Sequence, residues 1–112
     1  MGTKASKVPA LVEKKKVDKL EKLILKREKD KEAAIAAIIG LGTIGGETAC
    51  EILQVYIRDN DPEIRKATAM AFQKSGNDHI TEMLRHQMLI EKDPEIKKEF
   101  EKAMDFSREQ RA

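Results

Sequence analysis

The hexapeptide Asp61-Pro62-Glu63-Ile64-Arg65-Lys66 returns, shifted by 32 residues, as Asp93-Pro94-Glu95-Ile96-Lys97-Lys98. A shift of 31 in the other direction sets Asp30-Lys31-Glu32 on Asp61-Pro62-Glu63, Ala33 on Ile64, Ala36 on Ala67, Leu41 on Phe72 and Gly45 on Gly76. A period of this length confines the chain to stacked-repeat architectures, in which no unit has a core of its own and its neighbours supply one. The repeated segment is a helix start. The Asp carboxylate accepts hydrogen bonds from the unpaired first-turn N–H groups, Pro at the first helical position gives up nothing, and Glu complements the positive helix end. Gly45 and Gly76, fifteen residues past their caps, suit a left-handed helix stop.

Each capped helix is followed by a second. Ala49, Ile52, Leu53, Tyr56 and Ile57 share one face of a 3.6-residue period, as do Ile80, Met83, Leu84 and Met88. Near the N-terminus, Val8, Leu11 and Val12 mark a short helix, Lys14-Lys15-Lys16 a turn, and Asp18 with Glu21 a capping box for the helix that follows. Seven helices are expected, near 8–15, 18–29, 31–43, 46–59, 62–75, 78–91 and 94–106, within a repeat domain over 8–106 flanked by a disordered 1–7 and a frayed 107–112. In the last copy Glu99 stands where Ala67 stands before it, as a terminal repeat with a polar outer face requires. The fold class is all-α. Aromatics are only 4% of the chain, so the core is expected to rest on Ala, Ile, Leu and gap-filling Met70, Met83, Met88 and Met104.

Leu41-Gly42-Thr43-Ile44-Gly45-Gly46, a second helix, and then Asp59-Asn60-Asp61-Pro62-Glu63-Ile64-Arg65 resemble the short HEAT-like repeats of the phycobilin-lyase type. The resemblance covers roughly residues 18–106. It implies a right-handed α-α superhelix, an α-solenoid of about three antiparallel helix pairs plus a capping helix. The family's Arg is matched only by Arg65; Lys97 and Ala34 replace it elsewhere, so an Arg–Asp ladder between repeats is expected to be incomplete.

Little in the chain suggests catalysis. Gly40-Leu41-Gly42-Thr43-Ile44-Gly45 spells a dinucleotide fingerprint, but that mechanism needs a strand before it and a second strand ending in an acid about 20 residues on. Here the glycines are read as ending a helix. His79 and His86, with Glu82 between them, share a helix face, yet stand about 10.5 Å apart along the axis, too far for one metal. Cys50 belongs to or beside a buried face; Ser6, Ser75 and Ser107 lack triad partners. No cofactor or metal is expected. A lone cysteine points to a reducing compartment, read as cytoplasmic, and no apolar run reaches membrane-spanning length. Met1-Gly2-Thr3-Lys4-Ala5-Ser6 fits the loose N-myristoylation pattern.

Stacked pairs expose a row of second helices, the usual binding surface of solenoids. On that row the sequence places Glu47, Glu51, Gln54, Val55 and Arg58, then His79, Glu82, Arg85, His86 and Leu89. The expected function is a non-enzymatic protein-interaction scaffold. Charge supplies the alternative. Residues 1–29 hold ten Lys/Arg against four Asp/Glu, net +6, while 30–112 hold twelve against sixteen, net −4. A polyanion or nucleic acid would meet Lys14, Lys15, Lys16, Lys19, Lys22, Lys26 and Arg27.

Overall fold

Of the expected helices, the stretch Ala33-Ala34-Ile35-Ala36-Ala37-Ile38-Ile39 is apolar on every side, and such a helix must be surrounded. In the computed structural model it is. The structure describes residues 4–75 and 78–111, with side chains for 4–75 and 80–106. A 3-10 turn at Lys4–Lys7 leads into α1 (Val8–Glu13), followed by α2 (Val17–Leu25), α3 (Lys31–Ile44), α4 (Gly46–Tyr56), α5 (Pro62–Ser75), α6 (Asp78–Ile90) and α7 (Pro94–Arg111). No strand occurs among the described residues. Helix α3 is the central element, flanked by α1, α2, α4 and α5.

The helices form two rows. One consists of α1, α3, α5 and α7, each against the next; the other consists of α2, α4 and α6, which lean on the first row. Cα extents of 41 × 28 × 17 Å fit a slab two helices thick. Ile38, Leu41, Leu53, Ile64, Phe72, Ile80, Leu84 and Phe100 are fully buried in one continuous core. Met104 joins it and Met83 and Met88 pack against it. Met70 does not: it is 37% exposed on the outer side of α5, so its part in the expected methionine core is corrected.

The repeated caps behave as their chemistry requires. Asp30 Oδ1 accepts the Ala33 N–H at 3.1 Å, Asp61 Oδ1 the Glu63 N–H at 2.9 Å, and Asp93 Oδ1 the Glu95 N–H at 2.9 Å. The capping box at Asp18 and Glu21 does not form. Lys15 takes a left-handed φ of 53°, the helix begins at Val17 with Lys16 as a cap that makes no side-chain bond, and Asp18 falls inside the first turn. Helices α2 and α4 also stop at Leu25 and Tyr56, short of the expected 29 and 59. After α4 the chain must bend, because the Asp59 side chain accepts the Asp61 N–H at 2.9 Å ahead of the next cap.

Gly45 ends α3 with φ 68°, and Gly46 follows at φ 84°. Gly76, its expected counterpart, lies outside the described residues, as does the Met1-Gly2-Thr3 part of the acylation pattern. Gly40 and Gly42 do not end the helix; both lie within it. A Cβ on Gly42 would sit 2.5 Å from the Ala71 carbonyl oxygen, and one on Gly40 2.6 Å from Val12 Cγ2. These glycines let α3 approach α5 and α1 closely, and there is no strand–turn–helix to hold a pyrophosphate. Glu99 is corrected too: it turns toward α5, where its Oε1 accepts from Gln73 Nε2 at 3.0 Å.

Candidate functional site

The second row leaves one broad side to solvent. On α4, Glu47, Glu51, Val55 and Arg58 (just past the helix end) are exposed and Gln54 is half-buried. On α6, Glu82, Arg85, His86 and Leu89 are exposed; the side chain of His79 lies outside the described residues. Among the described residues, α4 and α6 approach only through side chains. Arg58 Nη2 lies 3.5 Å from His86 Nδ1, and Glu51, Gln54, Val55, Ile57, Arg58 and Met83 line a cleft of about 380 Å³ between the two helices. Arg85 pairs with Glu82 within α6 at 2.6 Å. Of the expected residues, Glu51, Gln54, Val55 and Arg58 line this cleft, His86 meets Arg58, and Glu82, Arg85 and Leu89 are exposed on α6 outside its lining.

Val55 is 71% exposed and Leu89 68%. Leu25, at the end of α2, is 70% exposed, and Ile90 51%. Leu25 was not expected on this surface. Because α2 was read as running to residue 29, Leu25 passed for a mid-helix residue, whereas it occupies the last turn, where Val55 and Leu89 occur on their own helices.

A polar ladder holds the three helix ends in line. Asp59 and Glu91 are one 32-residue period apart. Each side chain accepts the N–H of the cap two residues on, Asp61 at 2.9 Å and Asp93 at 3.3 Å. Arg27, just past α2, pairs with Asp59, its guanidinium 6.0 Å from the centre of the Tyr56 ring. Arg65 donates to both oxygens of Glu91, at 2.9 and 3.2 Å, and to the Asp59 carbonyl at 2.9 Å. The ladder expected to be incomplete is thus completed by Arg27, which sits outside the family's motif position. Hydrogen bonding to Glu91 raises the Arg65 pKa against the opposing effect of burial. A second, exposed ladder joins Lys31 to Asp61 at 2.7 Å and to Glu63 at 3.0 Å, and Lys66 to Glu95. The Lys31 hydrogen bond holds the Asp61 carboxyl below its ordinary 3.8.

The other expected features fall as follows. Cys50 is buried in α4. Among the described residues no cluster of His, Cys, Asp and Glu gathers a metal-ligand set, and no helix is long and apolar enough to cross a membrane. Lys14, Lys15, Lys16, Lys19, Lys22 and Lys26 are all exposed, while Arg27 is held by Asp59.

Two rows of paired helices, with Asp-capped helices α3, α5 and α7 recurring along the first row and an exposed second row, define an α-solenoid of HEAT type. The family pattern described as HEAT repeats matches residues 17–105, and the chain belongs to that family. Comparisons with curated proteins and with solved structures give no match. HEAT repeats generally mediate protein–protein interactions as scaffolds.

Proposed function

We propose that this chain is a non-enzymatic interaction module whose partner protein binds across α4 and α6. The binding residues are Glu47, Glu51, Gln54, Val55 and Arg58 on and just past α4, and His79, Glu82, Arg85, His86 and Leu89 of α6; of these Glu51, Gln54, Val55 and Arg58 line the cleft. The observation that carries this reading is the exposure of Val55 and Leu89 beside charged neighbours. In a chain whose other Leu and Val side chains are mostly buried or half-buried, two large aliphatics are left in water on the neighbouring second-row helices α4 and α6, Val55 in the lining of the cleft between them. An aliphatic and charged mixture of this kind suits a modest protein interface.

The test is affinity capture from native lysate with the chain and with a Val55→Glu, Arg85→Glu, Leu89→Glu variant of equal helicity and melting temperature. Reversal of Lys97, Lys98 and Lys102, all exposed on α7, serves as the control. Captured proteins should be lost from the first variant and kept by the second. Equal capture by both removes the α4–α6 surface from consideration. The exposed lysines of the N-terminal third support a second reading, binding of nucleic acid or another polyanion. Retention on DNA that falls steeply with salt, and that disappears when Lys14, Lys15 and Lys16 are replaced by Gln, would favour it.

A further inference from the structure

The exposed large aliphatics of the second row occur at one end of each helix, one on α2, one on α4 and two, Leu89 and Ile90, on α6. Leu25 is the last residue of α2, Val55 the next to last of α4 and Leu89 the next to last of α6. The ladder of Arg27, Asp59, Arg65 and Glu91 ties those three ends together, so the aliphatics recur from repeat to repeat along the row. Charge is divided along the helix axes. Glu47 and Glu82 lie toward the N-terminal ends of α4 and α6, and Glu51 at the middle of α4. At the C-terminal ends Lys22, Lys26, Lys29, Arg58 and Lys92 are exposed, against Glu28. Asp59 and Glu91 at this end are already neutralised by Arg27 and Arg65, and none of those five cations has a carboxylate within 4.0 Å among the described residues.

A further polar group waits at the same end. A cleft of about 300 Å³ is lined by Arg58, Asn60, Gln87, Ile90 and Lys92, among others. Gln87 is 5% exposed and its buried Oε1 has no hydrogen-bond partner. A buried acceptor without a donor is unfavourable, and a backbone N–H brought into the cleft would relieve it.

From these placements we infer that the C-terminal ends of α2, α4 and α6 form a track for an acidic, extended segment of a partner protein with aliphatic residues at regular intervals. The inference rests on the interaction-module reading and names the chemistry of the partner. Packed helices stand about 8–10 Å apart, α4 and α6 are separated by the wider cleft, and an extended chain advances about 3.3 Å per residue. An aliphatic every three residues, about 10 Å apart, offers one near each of Leu25, Val55 and Leu89, and the acids between them face Lys22, Lys26, Arg58 and Lys92. Near α6 the segment donates a backbone N–H to Gln87.

The probe is a fluorescein-labelled peptide of Ile-Glu-Asp repeated four times, titrated with the full chain by fluorescence anisotropy. Two controls replace every acid by Lys or every Ile by Ser. The acidic aliphatic peptide should bind saturably, the Lys peptide should not, and the Ser peptide should bind at least about tenfold more weakly, as the loss of roughly 1.4 kcal/mol of apolar contact implies. A Leu25→Ser, Val55→Ser, Leu89→Ser variant should show the same loss while melting normally. Gln87→Met removes the orphan acceptor, so it should raise the melting temperature and yet weaken the peptide by about three- to tenfold. Equal binding of the Ser peptide overturns the aliphatic track in favour of plain polyanion binding, and equal binding of the Lys peptide overturns the charge argument. If the acidic peptide fails to bind while captured proteins are still lost from the α4–α6 variant above, the interaction surface stands and the acidic class of partner is overturned.

Discussion

Replacing Gly42 by Ala sets two large effects against each other at one atom. Ala is the better helix former by about 1 kcal/mol in a helix interior, so propensity alone predicts stabilisation. The new Cβ, however, would stand 2.5 Å from the Ala71 carbonyl oxygen and 2.7 Å from the Ala71 Cα. Ordinary carbon contacts begin near about 3.5 Å, so α3 and α5 must part by about 1 Å. The obstructing atoms are backbone and cannot rotate aside. Overpacking of a tight core costs about 1–3 kcal/mol, and a backbone clash belongs at the upper end. The parting would also loosen Ile38, Leu41, Ile64 and Phe72, all fully buried along these two helices. The net effect is a destabilisation of about 2 kcal/mol, or roughly 8–16 °C in melting temperature for a domain of this size. Gly40→Ala is the matched control. Its Cβ crowds only side chains, chiefly Val12 at 2.6 Å and then Val8 at 3.4 Å, both on the short α1, so the propensity gain should largely offset the contact and leave stability within about 1 kcal/mol of the native chain. Urea and thermal melts followed by circular dichroism at 222 nm read both variants. A Gly42→Ala chain as stable as the native one would refute close packing of α3 on α5 as the reason for glycine at that position.

Because the same glycines lie inside a helix, millimolar NAD or ATP should leave the melting temperature unchanged; a saturable rise would reveal a nucleotide site by linkage. Asp30→Ala and Asp61→Ala should each destabilise by about 0.5–2 kcal/mol through loss of a first-turn acceptor, measured by urea melts, and an unchanged midpoint for both would break the repeat register. Asp61 has a folded pKa below its ordinary 3.8, so its contribution is present above that value and is lost as pH falls through the folded pKa. Asp61→Asn should accordingly flatten the acid limb of the stability–pH curve below about pH 4, and an unaltered limb would contradict the Lys31 pairing. Arg65→Met strands Glu91, whose side chain is only 2% exposed. Since Arg65 keeps 20% of its own side chain in water, the loss should be about 2–3 kcal/mol, below the ~3–5 of a fully buried pair, and Glu91→Gln in the same background should recover part of it.

Helix starts were legible because their chemistry is local. An Asp two or three residues ahead of a first-turn N–H, with Pro or Lys between, specifies its own geometry, and Asp30, Asp61 and Asp93 all cap as read. Helix ends were less legible where a side chain from the loop decides them. Asp59 draws the chain out of α4 by accepting the Asp61 N–H, a bond that no hydrophobic period announces. The Asp18–Glu21 pattern misled because the preceding lysine turn, with Lys15 left-handed, starts the helix at Val17 and puts Asp18 past the capping position. Gly40 and Gly42 were seen as terminators because their tertiary neighbours, Val12 and Ala71, lie 28 and 29 residues away in sequence. The exposure of Glu51, Val55, Arg85 and Leu89 followed directly from periodicity on α4 and α6. Leu25 and the ladder through Arg27 did not, although the 32-residue spacing of Asp59 and Glu91 was a signal that could have found the latter.

The central claim is that partners meet the second row of helices and not the first. A photo-crosslinking residue placed at position 55, at position 89, or at position 98 on α7 tests it within native lysate, since all three sites are exposed and none supports the core. Positions 55 and 89 should give the same crosslinked protein bands, and position 98 should give none of them. Identical bands from 98, or bands arising from none of the three while a crosslinker at position 15 gives them, would contradict the account.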